Sequence, residues 1–382
     1  MDSGQWTVDS QFRLPDPHQA QVAKIMESRM APCGSGILPL LACQAPRWRF
    51  LQSAIGHSTR IRKSELAVHS PLSTPHSPLM QQQLNGMTPL THLGVIRAQG
   101  DDAAHFLHGQ LTNDFLQLDM SQARLAGFCN FKGRLLASFI GLKRSKTDIL
   151  LVCSQDILLA ILKRLSMFVM RAKLKLSDAS AEFALFGVAG PALASSGIDH
   201  ACPPFTKSDV GCASVIHLYL ADGVARVLWV TPKDGSWPAG EVFDAGLWAW
   251  SEVRSGITTI TAPIVDTFVP QMINYESVGG VNFRKGCYPG QEVIARSQFR
   301  GSIKRKAYLA HTEQMLQVGD MLFGIDDAQP RATVAQVAAS PSGGCDAIVS
   351  MPIADFEQSK ILAAAYGGVT LTHPPYPFLT DI

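Results

Sequence analysis

The alternation of apolar and polar positions predicts an α+β chain. Leu125 to Cys129 and Leu135 to Leu142 read as strands around a tight Asn130-Phe131-Lys132-Gly133 turn, and Asp148 to Cys153 as a further strand. Ser154 stands where a helix cap is expected. Asp156 lies in the first turn of the helix it would open, which should run to about Met170. Glu182 to Val188 is a strand ending at Gly190-Pro191, and proline suits a first helical position, so a helix should follow. Val224 to Val230 reads as a strand and Val242 to Ser255 as a helix ended by Gly256. Upstream, order is expected from about Leu90, with Asp101 or Asp102 capping a short helix at Ala103-Ala104-His105-Phe106-Leu107.

From about Lys304 the pattern changes. Short apolar stretches alternate with Gly, Pro and Asp turns: Ala307 to Ala310, Met321 to Phe323, Ala332 to Ala338, Ala347 to Met351, Ile361 to Ala365 and Val369 to Thr372. That is the pattern of a small all-β barrel or sandwich, with a boundary near residue 300. Residues 1–85 differ again. They are rich in Pro, Ser and His, and carry six basic and no acidic residues between Ser28 and Ser64. They read as a disordered extension. Their composition fits an organelle transit peptide, though Asp2, Asp9 and Asp16 oppose that, or a start codon placed ahead of a true start at Met80 or Met87. The expected organisation is therefore 1–85 extension, 86–300 α+β core and 301–382 barrel.

Composition narrows the functional classes. With 46% apolar and 17% charged residues, the 382-residue chain can bury a sizeable core, and a net charge of +2 argues against a strongly basic nucleic-acid binder. No apolar run is long enough to span a membrane. The eight cysteines include no C-x-x-C pair and have no accompanying His cluster, so they read as reduced thiols rather than a zinc site.

The most informative stretch is Lys285-Gly286-Cys287-Tyr288-Pro289-Gly290-Gln291-Glu292. Two glycines bracket a Cys-Tyr-Pro turn and permit positive φ. Glu292 opens an amphipathic helical segment, so Cys287 precedes a helix N-terminus. The helix dipole with Arg284, Lys285 and Arg296 would favour its thiolate. Such a thiol can attack, ligate a soft metal or form a mixed disulfide; the alternative is a Gly-rich turn holding an inert cysteine. Arg296, Arg300, Lys304, Arg305 and Lys306 could line an anion site or form a solvated edge strand. Trp248 and Trp250 read as core rather than as pterin-stacking rings.

Residues 285–292 match the pattern K-G-C-Y-x-G-Q-E, which resembles the signature of the YgfZ family of folate-binding proteins, related to the glycine-cleavage T protein. The resemblance extends to Phe106-Leu107-His108-Gly109-Gln110-Leu111-Thr112-Asn113-Asp114, to Asn130-Phe131-Lys132-Gly133-Arg134, to residues 268–274 and 279–283, to Ala295-Arg296, Arg300-Gly301 and Lys304-Arg305, and to Pro374-Pro375-Tyr376-Pro377. It covers about residues 88–380. It implies a T-protein-like core binding tetrahydrofolate, or a polyglutamylated derivative, in a central channel, plus a C-terminal barrel. It also implies Cys287 as the reactive thiol and transient metal ligand, with Tyr288, Gln291 and Glu292 shaping its site. Gln110, Asn113 and Asp114 would reach the folate channel, although helix capping explains them nearly as well. Lys132 and Arg134 would meet folate glutamates, a solvated hairpin being the alternative, and Lys285 and Arg296 would assist folate binding.

The resemblance further implies a role in making or maintaining iron–sulfur proteins, with iron–sulfur clients or assembly proteins as partners and an indirect effect on tRNA thiolation. Localisation is expected to be the bacterial cytoplasm, with the mitochondrion an alternative. An aminomethyltransferase-like activity is the competing reading. It is opposed by Ala137 and Ser138, which stand where the T-protein turn carries acids, since neither can act as a carboxylate base. A tRNA-binding factor using Lys163, Arg164, Arg171, Lys173 and Lys175 is a third.

Overall fold

The computed structural model describes residues 84–301, 303–324, 329–357 and 368–379. Residues 1–83 of the extension expected at 1–85, and the stretch Ile361 to Ala365, lie outside these residues; Leu84 and Asn85 do not belong to a disordered extension, since Leu84 is buried in the core and Asn85 Oδ1 accepts from Ala192 N. Among the described residues there are three five-stranded sheets, and neighbouring strands within each pair antiparallel. The first contains β2 (Leu93–Gln99), β3 (Ala123–Cys129), β4 (Leu135–Ser145), β5 (Asp148–Ser154) and β6 (Lys175–Asp178), in the order β3-β4-β5-β2-β6. The second contains β1 (Gly86–Pro89), β7 (Phe183–Ala189), β8 (Lys207–Val210), β9 (Ala213–His217) and β10 (Arg226–Pro232), in the order β1-β7-β10-β9-β8. The third contains β11 (Arg305–Thr312), β12 (Met321–Phe323), β13 (Pro330–Ala339), β14 (Cys345–Pro352) and β15 (Thr370–Thr372), in the order β12-β13-β14-β11-β15. The helices are α1 (Ala103–Gln110), α2 (Gln155–Ser166), α3 (Ala192–Ser195), α4 (Ala245–Arg254), α5 (Gln291–Phe299) and α6 (Ile353–Glu357).

The unbroken apolar run of β5 has a structural reason. Leu150 and Val152 point into a core shared with Leu228, Val230 and Trp248, whereas Ile149, Leu151 and Cys153 point into a second core on the other face. Period-two alternation therefore yields apolar residues at every position when both faces of a sheet are covered. Side chains such as Leu150 and Leu151, wholly removed from solvent, each contribute roughly 1.5–3 kcal/mol by burial. The second of these cores also contains Ala307 and Leu309 of β11 and Ile348 of β14, so the third sheet packs onto it.

Asn274 strengthens that packing. It lies in the left-handed region at φ 62°, and its amide pairs with both backbone groups of Ala307, donating to the carbonyl (2.8 Å) and accepting from the N–H (3.0 Å). The Trp250 indole N–H donates to Asp346 Oδ2 of β14 at 2.5 Å.

Several sequence expectations require correction at element ends. The helix after Ser154 ends at Ser166, not near Met170, and the Ser154 hydroxyl donates to Asp156 Oδ1 (2.6 Å) instead of capping it. Asp102 does not cap α1; its carboxylate accepts from Lys173 N at 2.6 Å. The helix expected from Val242 starts at Ala245, because Asp244 accepts from Gly246 N and Leu247 N and fixes the N-terminus there. Order begins before Leu90: β1 opens at Gly86, and β2, interrupted in its apolar pattern by Gly94 and Arg97, lies between β5 and β6.

Candidate functional site

The Cys motif is held from two sides. On one side is the β3–β4 turn, where Asn130 Oδ1 accepts from Lys132 N and Arg134 N, and Asn130 Nδ2 donates to Asp266 Oδ1 at 2.6 Å. That turn abuts the N-terminus of α5. Gly290 sits at φ 80°, and a Cβ there would lie 2.4 Å from the carbonyl oxygen of Asn130, so only glycine fits. Arg134 is spent on this contact, donating to the carbonyls of Asp266 and Thr267, while Phe131 and Lys132 are exposed at the tip.

On the other side is α1. Lys285 is buried, and its ammonium donates to the carbonyls of His108 (2.5 Å), Leu111 (3.0 Å) and Gly286 (3.3 Å) and lies 4.5 Å from the centre of the Tyr288 ring. Burial pulls its pKa down to about 8, opposed by the charges of Asp114 and Cys287. Tyr288 is buried too, which pushes its phenol up.

Asp114 Oδ1 accepts from Leu116 N and Gln117 N and lies 3.0 Å from His108 Nδ1. Burial would raise the Asp114 carboxyl, but these backbone donors and His108 outweigh it and hold the group below its usual value. Cys287 itself is an exposed free thiol.

The remaining motif residues have local roles. Gln291 begins α5, and Glu292 pairs with Arg296 one turn on at 2.5 Å on the exposed face, a contact worth about 0.3–0.5 kcal/mol. Asn113 is fully engaged: it donates to the carbonyls of Leu125 and Gly279 and accepts from Asp114 N. Gln110 borders a surface recess with Asp102, His105 and Phe106, and its Oε1 is buried without a partner. Among the described residues, no group of three or more His, Cys, Asp or Glu side chains could hold a metal ion.

A separate recess opens between the first two sheets and α4. Phe205, Tyr219, Trp248, Leu125, Phe139 and Leu228 supply much of its wall, with Ser138, Arg226, Glu252 and Thr258 as polar groups. Arg226 is buried; its guanidinium donates to Ser251 Oγ (2.9 Å) and to the Tyr219 carbonyl and lies 5.0 Å from the centre of the Trp248 ring. None of its hydrogen-bonding partners is a carboxylate, and burial brings its pKa down to about 10, opposed by the charge of Glu252. Glu252 accepts from Trp248 Nε1 (3.1 Å) and lies 3.6 Å from His92. The Thr258 hydroxyl is buried without a partner among the described residues.

Of the positions singled out in the sequence, Ser138 and Trp248 line this recess, whereas Gln110, Asn113, Asp114, Lys132, Arg134, Lys285, Cys287 and Arg296 do not. Ser138 accepts from Ile260 N at 2.9 Å, and Trp248 belongs to the core as well as to the recess wall. Arg226, Glu252 and Thr258 were not anticipated. Arg226 carries a readable signal, being the one charge in an otherwise largely apolar strand.

No family model matches the chain. It is 29% identical over 336 residues to the tRNA-modifying protein YgfZ of Edwardsiella ictaluri, covering 81% of this chain and 96% of that protein. Against the tRNA-modifying protein YgfZ of Escherichia coli it is 28% identical, covering 62% and 76%. Its fold is similar to that of the glycine cleavage system aminomethyltransferase T from Bartonella henselae, with a TM-score of 0.56 over 79% of this chain and 89% of that one, at 16% identity. No described helix is long and apolar enough to cross a membrane. The chain is thus a homologue of the YgfZ proteins, built on the fold of the T-type aminomethyltransferase.

Proposed function

We propose that this protein is a folate-binding accessory factor that assembles or maintains iron–sulfur proteins through Cys287, with tRNA modification affected through an iron–sulfur enzyme. The observation that carries the reading is a division of labour. An aromatic-walled recess offers a buried guanidinium and an unpartnered Thr258 hydroxyl, while an exposed thiol stands on a separately braced loop. Tetrahydrofolate suits the recess chemically. Its ring needs apolar and aromatic walls with a few polar groups, and its anionic tail would meet an Arg226 charge that no hydrogen-bonded carboxylate answers. Arg226, Glu252 and Thr258 are the residues expected to hold it. Bound there, folate would supply one-carbon or conformational chemistry at a place that no residue of 285–292 lines.

Among the described residues Cys287 has no cluster of co-ligands, so the contribution proposed for it is exchange with a client rather than storage of a cluster, which commonly takes four ligands. Complementing a deletion strain with Cys287→Ala and assaying several iron–sulfur enzymes tests this; activities equal to wild type would defeat it. Expected partners are iron–sulfur clients or assembly proteins in the bacterial cytoplasm.

The T-type fold favours a second reading, aminomethyl transfer. Against it, Ala137 and Ser138 are buried and neither is a carboxylate. Substantial, Cys287-independent turnover in a glycine-cleavage assay would establish that reading instead. The tRNA-modifying relatives raise direct tRNA binding, for which Lys163, Arg164, Arg171, Lys173 and Lys175 form an exposed basic group. Binding that weakens steeply with salt would support it.

A further inference from the structure

We infer that the outer face of α2 and the turn that follows it form a docking surface for an anionic lipid membrane. The helix is two-sided. Ile157, Leu158, Ile161 and Leu165 are buried and belong to the core. Leu159, Lys163 and Met167 recur every fourth residue and so share one outward stripe. Leu159 is 68% exposed and Met167 66%. The turn between Ser166 and Leu174 divides its apolar residues in the same way. Val169 and Leu174 pack against the core and hold the turn down. Phe168 and Met170 stay outside, Met170 at 88% exposed. Exposed apolar side chains are ordinary when scattered singly, but four within residues 159–170 mark a contact surface.

Charge says what the surface meets. From Ile157 to Ser177 the chain carries Lys163, Arg164, Arg171, Lys173 and Lys175 and no acidic residue. All five are exposed, and none forms an ion pair among the described residues. The carboxylates of flanking segments are turned to other partners. Asp102 accepts from Lys173 N, Asp156 from Ser154 Oγ and Ala262 N, and Asp178 from Ser180 N and Oγ.

A lipid surface answers both features at once. Anionic headgroups meet the five cations, and each Lys or Arg brought to such a surface strengthens binding about fivefold. The apolar tips enter the boundary between headgroups and acyl chains, while the long stems of the basic residues let their charges stay at headgroup level. A phosphodiester backbone would meet the charges but leave the methionines in water. A folded protein would need an acidic face with a hollow for each tip, whereas a fluid bilayer needs no matching shape. No residue of 159–175 lines the recess or belongs to the Cys motif, so the surface can be altered without touching either.

The test is flotation of the purified full-length chain with vesicles of phosphatidylcholine alone, and of phosphatidylcholine and phosphatidylglycerol in equal parts. Binding is expected to the second and not to the first. Lys163→Gln combined with Arg164→Gln should weaken it about 25-fold at about 0.1 M salt. Met167→Ser combined with Met170→Ser should weaken it by about tenfold or more. Both pairs stand at exposed positions, and circular dichroism matching wild type shows that the variants fold. Tryptophan emission of Met170→Trp should move to shorter wavelength when phosphatidylglycerol vesicles are added. Unshifted emission overturns the insertion, and no binding of wild type overturns the whole proposal. Binding that both double variants retain in full overturns it too, and points instead to the basic residues between Ser28 and Ser64. If vesicles are not bound, and tRNA binding is lost with the Lys163 and Arg164 pair but kept with the methionine pair, the surface belongs to RNA and the proposal falls.

Discussion

The ammonium of Lys285 lies 3.0 Å from the carbonyl oxygen of Leu111, the residue just after the last of α1. Together with the bond to the His108 carbonyl, this places a cation on the unsatisfied end of a helix, where backbone carbonyls need partners. The lysine of the Cys motif is therefore a brace between α1 and the motif loop. Lys285→Met should cost about 1.5–3 kcal/mol, the range for hydrogen bonds from a charged group. Urea denaturation of the two proteins measures it, and equal midpoints with equal slopes would show the brace to be idle.

The same lysine makes stability depend on pH in a defined window. Its folded pKa is near 8, against about 10.4 in an unfolded chain. Between those values the unfolded state binds more protons than the folded one, so stability rises as pH increases from about 8 to about 10.4. Below 8 both states are charged and the penalty of burying the ammonium is fully present. Wild type should therefore gain on Lys285→Met across that interval; parallel stability curves at pH 7, 8, 9 and 10 would contradict this.

Gly290→Ala should loosen the seat of the Cys motif. Left-handed backbone costs a non-glycine residue roughly 1–2 kcal/mol, and the new methyl would strike the Asn130 carbonyl. Hydrogen exchange should quicken both at the turn around Asn130 and at the start of α5. Faster exchange at α5 alone would mean that the two are not coupled.

Trp250→Phe should weaken the attachment of the third sheet. It removes the donor to Asp346 Oδ2 and leaves His311 Nδ1, 2.8 Å from Oδ1, as the remaining side-chain partner of a buried carboxylate. The expected loss is about 1.5–3 kcal/mol, seen as a lower thermal midpoint. An unchanged midpoint would place the stability of that sheet elsewhere.

Thr258→Val tests the recess without disturbing its shape. The hydroxyl has no partner among the described residues, so its removal should leave stability unchanged or raise it by about 1 kcal/mol. Calorimetric titration with tetrahydrofolate should meanwhile show affinity falling by about 5- to 10-fold. Equal affinity would remove Thr258 from the binding residues.

Local signals were legible where a residue's neighbours in sequence are also its neighbours in space. The Asn130–Gly133 turn, α5 after Gly290, and the strands of the third sheet from Arg305 onward are visible in the residues themselves. Helix ends were less legible. Ser154 and Asp102 look like caps, yet their side chains are taken by Asp156 and by Lys173 N, whereas Asp244 lies two residues inside the stretch read as helix and does the capping. Short polar side chains compete for several nearby partners, and the sequence does not rank them.

By itself the sequence determined the motif at residues 285–292, the exposed thiol's place before a helix and the resemblance to the YgfZ family. Only tertiary structure decided what surrounds them. Arg226, Glu252 and Thr258 meet because two sheets and a helix close on one another, and their positions in the chain carry no trace of that meeting. His108 and Lys285 are 177 residues apart, yet a single hydrogen bond joins them. Such contacts are set by which faces bury against which, and that is settled by the packing of the whole core rather than by any local run of residues.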